Sequence, residues 1–228
     1  MVDLGTVVWT ALAVLAAVLE GRGRVLDLSL YETTLVLLPY QLTNYLATGE
    51  IAGREGSAFA LITPYQVFRT RDGELMVAAG NDRLFRALCE VVGLPSLADD
   101  ARFATNPLRV ANRGQLIPSL EERFEVERSA VWLERLREAG VPAAPVQDVA
   151  QVAESEQTQA LGILQELAGF RTVALPLSAD NDRVEYGSPP PRLGEHSAEI
   201  LAEAGYSDAE ITELAAAGVT RLDGGRPS

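Results

Sequence analysis

Residues 1–32 open with Met1-Val2-Asp3-Leu4-Gly5-Thr6, run on through an apolar stretch to Glu20, and close with Gly21-Arg22-Gly23-Arg24-Val25-Leu26-Asp27-Leu28-Ser29-Leu30-Tyr31-Glu32. Between Thr6 and Glu20 alanine, leucine and valine fall on nearly every helical face, which predicts a buried helix rather than a surface one. Gly21-Arg22-Gly23 interrupts it as a turn. Val25, Leu26, Leu28 and Leu30 surround Asp27 and Ser29, a pattern that reads as a short strand over 25–30, with Asp27 and Ser29 serving sheet packing or hydrogen bonding. Helical spacing returns from Tyr31 to Leu46 and stops at Thr48-Gly49. Helix, strand, helix is an order that suits part of an α/β layer structure.

Downstream, residues 50–63 carry Gly53, Gly56 and Ser57 with weak periodicity and read as a linker. Strand-forming residues then flank Asp72-Gly73, which predicts a hairpin whose turn uses glycine at positive φ. Helices are expected at 82–92, 112–124 and 129–139, the first stopped by Gly93 and Pro95, the last by Gly140 and Pro142. Val141–Val146 reads as extended. The runs 163–167 and 170–175 are placed to pair through Ala168-Gly169, and Ser188-Pro189-Pro190-Pro191-Arg192 reads as a stiff loop. Two short helices at 196–204 and 207–217 close the chain, the second opened by the capping box Ser207-Asp208-Ala209-Glu210. Residues 223–228 read as frayed.

The composition narrows the function. A chain of 228 residues suits one large domain or two small ones. A net charge of −13 repels nucleic acid and anionic membrane surfaces. The single cysteine, Cys89, sits in an apolar run and reads as a small buried hydrophobe; with no disulfide framework, the chain suits a reducing cytoplasm. One histidine and one cysteine argue against a metal site. The stretch Val7–Leu19 is short for a bilayer span, and no cationic segment precedes it, so neither an anchor nor a signal peptide is expected. No Gly-x-Ser-x-Gly elbow supports a serine hydrolase. His196 reads as a helix-start or loop contact.

Eight blocks in order carry a resemblance. They are Asp3-Leu4-Gly5-Thr6; the 21–32 segment; Tyr45-Leu46-Ala47-Thr48-Gly49; Pro64-Tyr65-Gln66-Val67-Phe68 with Asp72-Gly73; Gly80-Asn81-Asp82; Ala98-Asp99-Asp100-Ala101-Arg102-Phe103 with Asn106 and Asn112-Arg113; Ala139-Gly140-Val141-Pro142-Ala143-Ala144-Pro145-Val146; and Pro190-Pro191-Arg192-Leu193-Gly194-Glu195-His196-Ser197. In this succession the chain resembles the C-terminal half of a family III CoA-transferase, the group of formyl-CoA and carnitine CoA-transferases, starting at the catalytic aspartate.

The resemblance implies an incomplete Rossmann-like large domain plus a small α+β domain, as in the family's interlocked homodimers. Residues 1–50 would be the remaining part of the large domain, 51–63 a linker, 64–146 the small domain and 147–228 the return to the large one. It implies Asp3 as the nucleophile that forms an aspartyl anhydride and then an aspartyl-CoA thioester, in transfer of CoA between an acyl-CoA donor and a carboxylic acid acceptor. Taken by itself, Asp3 also reads as a helix N-cap. Coenzyme A or acyl-CoA would be substrate, with no permanently bound cofactor and no metal. Arg22 and Arg24 are weak candidates for lining a phosphate path. Partners would be a second copy and a complementary N-terminal half.

Two departures bear on the reaction. Acyl-CoA racemases of the same superfamily place Glu-Pro near residues 80–82, where this chain has Gly80-Asn81-Asp82; transferase is therefore favoured over racemase, with Asp82 the remaining candidate base. The formyl-CoA transferases carry a glycine-rich loop near residue 56, where this chain has only Gly56, which points to a bulkier or different acyl group. A non-catalytic remnant that binds a partner chain is the reading outside enzyme chemistry.

Overall fold

The computed structural model describes residues 1–180 and 182–222; the expectation for 223–228 lies outside the described residues. The chain divides into two compact units, Met1–Val146 and Gln147–Ser228.

The first unit begins with helix α1, Val2–Glu20, ended by Gly21 in the left-handed region (φ 65°). At 19 residues α1 is about 28 Å long. Its most apolar 18-residue window has mean hydropathy 2.1, so by length and composition it is able to cross a bilayer. The stretch Val7–Leu19 undercounted it. The expectation of a buried helix also fails within this chain. No residue of α1 is buried, and Leu4, Val18 and Leu19 are 73%, 70% and 88% exposed. Helix α2, Leu30–Val36, meets α1 at the Gly5-Thr6 turn.

The strand predicted over 25–30 does not form. A strand needs a ladder partner for its N–H and C=O groups, and none of the described residues supplies one. Ser29 instead caps α2, its Oγ accepting from Glu32 N at 3.1 Å and donating to Glu32 Oε2 at 2.7 Å. The single helix predicted over 31–46 is two. Pro39 has no N–H to continue α2, and it opens helix α3, Pro39–Thr48, at the first position.

After an irregular segment, strands β1 (Tyr65–Arg69) and β2 (Glu74–Ala78) form the expected antiparallel hairpin, and β3 (Ala143–Pro145) adds to β2. Phe68 lies opposite Leu75, and these two with Val77 face the core. The hairpin loop has four residues, with Thr70 N donating to Gly73 O at 2.9 Å. Gly73 is not at positive φ, contrary to expectation. What it supplies is room, since a Cβ there would meet Ser129 Oγ at 3.2 Å.

Five more helices complete the unit: α4 (Asp82–Val91), α5 (Ser96–Asp99), α6 (Asn106–Ala111), α7 (Arg113–Phe124) and α8 (Ser129–Glu138). Asn81 caps α4 by accepting from Leu84 N at 2.9 Å. Phe85, Leu88 and Cys89 of α4 and Leu116, Leu120 and Phe124 of α7 recur at helical spacing and bury together. Phe124 stacks on Phe68 at 4.8 Å and meets Trp132 edge-on at 5.3 Å. Trp132 Nε1 donates to Phe124 O at 2.9 Å, so its one polar atom is satisfied inside the core.

The second unit holds helices α9 (Val149–Glu154) and α10 (Glu156–Leu161), strands β4 (Leu164–Leu167) and β5 (Phe170–Val173), the two-residue strands β6 (Ser178–Ala179) and β7 (Asp182–Arg183), and helices α11 (Ser197–Glu203) and α12 (Asp208–Ala216). Ala168 and Gly169 join β4 to β5, both at positive φ (48° and 80°). That is the primed two-residue turn that suits strand twist. The capping box at Ser207 and Glu210 is present.

Candidate active site

Asp3 lies in the first turn of α1, one residue past the helix start and not at the N-cap, which is Met1. The capping reading is therefore replaced: the carboxylate is exposed and enters no hydrogen bond or ion pair among the described residues. It stands at the helix end where unpaired N–H groups place partial positive charge, a setting that favours an anion.

The turn that carries Asp3 is fixed by a contact with α2. Thr6 Oγ1 donates to Thr33 Oγ1 at 2.8 Å, and Thr33 donates on to Ser29 O at 3.2 Å. Thr33 is 4% exposed. Gly5 permits the approach, since a Cβ on it would sit 3.1 Å from Thr33 Cγ2. An Asp-x-Gly-Thr sequence thus places a free carboxylate one turn from a close helix crossing. Beside it an open groove of about 550 Å³ runs between the two helices, lined by Trp9, Leu12, Asp27, Glu32 and Val36 among others.

Arg22 and Arg24 are not brought to Asp3. They follow the opposite end of α1, about 25 Å away along the axis. Arg24 pairs with Glu20 on its own helix end. Both cations suit the negative end of the helix dipole.

The other sequence candidates take structural places. Asp82 Oδ1 lies 2.9 Å from Arg109 Nη2, in an ionic contact too bent to be a hydrogen bond. Arg109 itself is fully buried, donating to Thr63 O at 2.8 Å and Phe103 O at 3.0 Å and lying 4.5 Å over the Phe85 ring. Asp82 is the counter-ion of that guanidinium, which speaks against a role as base. Cys89 is wholly buried, and burial pushes its thiol up to about 12. His196 is exposed at the N-cap of α11 and makes no side-chain cap bond.

One feature went unread in the sequence. A cavity of about 280 Å³ lies between α3 and residues 52–61, lined by Tyr40, Gln41 and Asn44 on one side and by Glu55, Phe59 and Leu61 on the other. Its only sequence signals are the polar face of α3 and the glycines at 53 and 56.

The profile of CoA-transferase family III matches residues 1–197. Human succinyl-CoA:glutarate CoA-transferase is 36% identical over 231 residues, which span 96% of this chain and 52% of that protein. Acetyl-CoA:oxalate CoA-transferase of Acetobacter aceti is 35% identical over 184 residues, 80% of this chain and 47% of that protein. Among solved structures, a CAIB/BAIF family protein from Brucella suis superposes with a TM-score of 0.74 at 35% identity, covering 89% of this chain and 55% of the other. This chain therefore spans about half the length of the relatives it matches. In sequence over most of its length, and in its mixed helix-and-strand fold, the chain belongs to CoA-transferase family III.

Proposed function

We propose that this chain takes part in transfer of CoA between an acyl-CoA donor and a carboxylic acid acceptor, with Asp3 as the covalent nucleophile. The observation that carries the reading is the free, exposed carboxylate of Asp3 in the first turn of α1, within the segment that the family profile matches. The carboxylate oxygen attacks the thioester carbonyl and CoA thiolate leaves, giving a mixed anhydride. Thiolate then attacks the aspartyl carbonyl, releasing the donor acid and leaving an aspartyl-CoA thioester. The acceptor carboxylate displaces the thiolate again, and the thiolate takes the acceptor acyl group, regenerating Asp3. Each anhydride must be kept from water, which requires α1 to be covered during turnover.

The acceptors named for the relatives, glutarate and oxalate, are short dicarboxylic acids, and that class is the first to test. A second copy, or a chain carrying the family's other half, is the proposed cover for the apolar sides of α1, and the cytoplasm is the proposed compartment. The large-domain and small-domain division at 1–50, 51–63, 64–146 and 147–228 belongs to the same proposal. Arg22 and Arg24 are retained only as outlying phosphate contacts.

The test is mass spectrometry after incubation with a panel of acyl-CoAs and trapping with hydroxylamine or borohydride, alone and with the complementary half supplied. A mass change localised to Asp3 and lost in Asp3→Asn supports the reading. Transfer at an unchanged rate in Asp3→Asn overturns it.

A further inference from the structure

Residues 55–63 form no helix or strand, so their carbonyls need donors from elsewhere. Arg113, at the start of α7, supplies three of them. Its Nη2 donates to Phe59 O at 2.7 Å and Ala60 O at 3.1 Å, with Ile62 O at 3.4 Å. Its Nε donates to Thr63 Oγ1 at 3.0 Å, and its Nη1 pairs with Glu55 Oε2 at 2.7 Å. Asn106 closes the same segment from α6, donating to Leu61 O at 2.9 Å and accepting from Thr63 N at 3.0 Å. The segment so held wedges Phe59 between Tyr40 and Tyr65, each ring centroid 5.7 Å away. Phe59, Glu55 and Leu61 are also the wall of the cavity against α3.

We infer that Arg113 is a positioning residue that fixes this wall, and that the cavity receives the small carboxylic acid of the reaction. The second clause rests on the CoA-transfer reading; the first does not. Two properties of Arg113 matter separately. Its planar fork holds several acceptors at once, which an ammonium does not reproduce. Its charge neutralises Glu55 at the cavity wall, where an unpaired carboxylate would repel an incoming acid in a chain already carrying −13. The remaining polar lining, Gln41, Asn44 and Tyr40, is uncharged and suited to hydrogen bonding.

Hydrogen exchange on the purified full chain tests the clamp, comparing wild type with R113A, R113K and E55Q. In R113A the amides of Ala58, Phe59 and Ile62 should exchange about tenfold faster or more, while α4 stays protected. E55Q should change little. If R113A loosens α4 as well, R113K decides: fast exchange at 58–62 over a protected α4 upholds the clamp, and wild-type protection overturns it. The recognition clause is read in the transfer assay of the assembled enzyme. R113A should raise KM for the acid severalfold with kcat less affected and Asp3 trapping retained, and the double variant R113A/E55Q should recover part of the KM. A KM unmoved by a wall shown to be loose overturns recognition and leaves the clamp standing. If wild type shows no transfer, the recognition clause falls with the CoA-transfer reading, and exchange alone judges the clamp.

Discussion

Thr6 and Thr33 share a hydrogen bond of 2.8 Å across the α1–α2 crossing, one turn from Asp3. The contact depends on Gly5, because any larger residue must push Thr33 away. Gly5→Val should overpack the crossing and cost about 1–3 kcal/mol. Thr33→Val removes only the hydroxyl and should cost about 1 kcal/mol. Denaturant titration ranks the two. Both should lower trapping at Asp3, Gly5→Val the more, and equal trapping in Gly5→Val and wild type would separate the crossing from the nucleophile.

Arg109 and Asp82 give an asymmetric pair. Arg109 is fully buried and Asp82 is 61% exposed by side chain. Arg109→Met leaves two buried carbonyls, of Thr63 and Phe103, without their donor and should destabilise the first unit by about 1–3 kcal/mol for each. Asp82→Asn takes the counter-charge from a guanidinium that stays fully buried, but keeps both carbonyl bonds and an amide oxygen facing Nη2, and should cost less. Chemical denaturation of the two variants checks the order.

Cys89 should be silent in the native chain. Its thiol is buried and pushed up to about 12, so it is neutral throughout the ordinary pH range. Iodoacetamide at mildly alkaline pH should label it only after guanidinium unfolding. Cys89→Ser buries a hydroxyl among apolar neighbours and should cost about 1–3 kcal/mol. Rapid labelling of the native chain would contradict the core packing.

Asp72 caps α8 from the hairpin loop, accepting from Ser129 N at 2.8 Å. That backbone bond, helped by the Ser129 hydroxyl and Arg128, holds its carboxyl below the usual value. A lowered folded value means that Asp72 stabilises above the unfolded carboxylate range and that this contribution is lost as pH falls through the folded one. Asp72→Asn should therefore flatten the acid limb of a stability–pH profile without changing its neutral-to-alkaline shape.

Ala168 occupies the left-handed region at φ 48°, a conformation that disfavours a Cβ. Ala168→Asn should stabilise the β4–β5 hairpin by about 1 kcal/mol by creating an Asn-Gly turn. Slower exchange across Leu164–Val173 is the readout, and faster exchange would refute the turn assignment.

The elements legible in the sequence are those held by near neighbours. The β1–β2 hairpin, α4, α7, α8, the Ala168-Gly169 turn and the Ser207 box each follow from local spacing. The failures have non-local causes. The strand at 25–30 lacked a ladder partner, and burial of α1 was a forecast about what covers it. The break at Pro39 is a local one, since the ring removes the N–H that would carry α2 onward. Arg113 and Asn106 stood out only as parts of a shared block and Arg109 not at all, since their partners in residues 55–63 lie 43–58 residues away, outside any helical or strand period. Asp3 drew attention through resemblance, and its free carboxylate is something that spacing does not disclose.

The exposed sides of α1 have a kinetic consequence. The helix that presents Asp3 also offers Val7, Val8, Leu12 and Leu15 to solvent. Under the proposed function, whatever covers those residues also seats the nucleophile, so assembly and catalytic competence become one equilibrium. Specific activity should then fall on dilution, with a midpoint equal to the dissociation constant of the cover, and enzyme assays would double as binding isotherms.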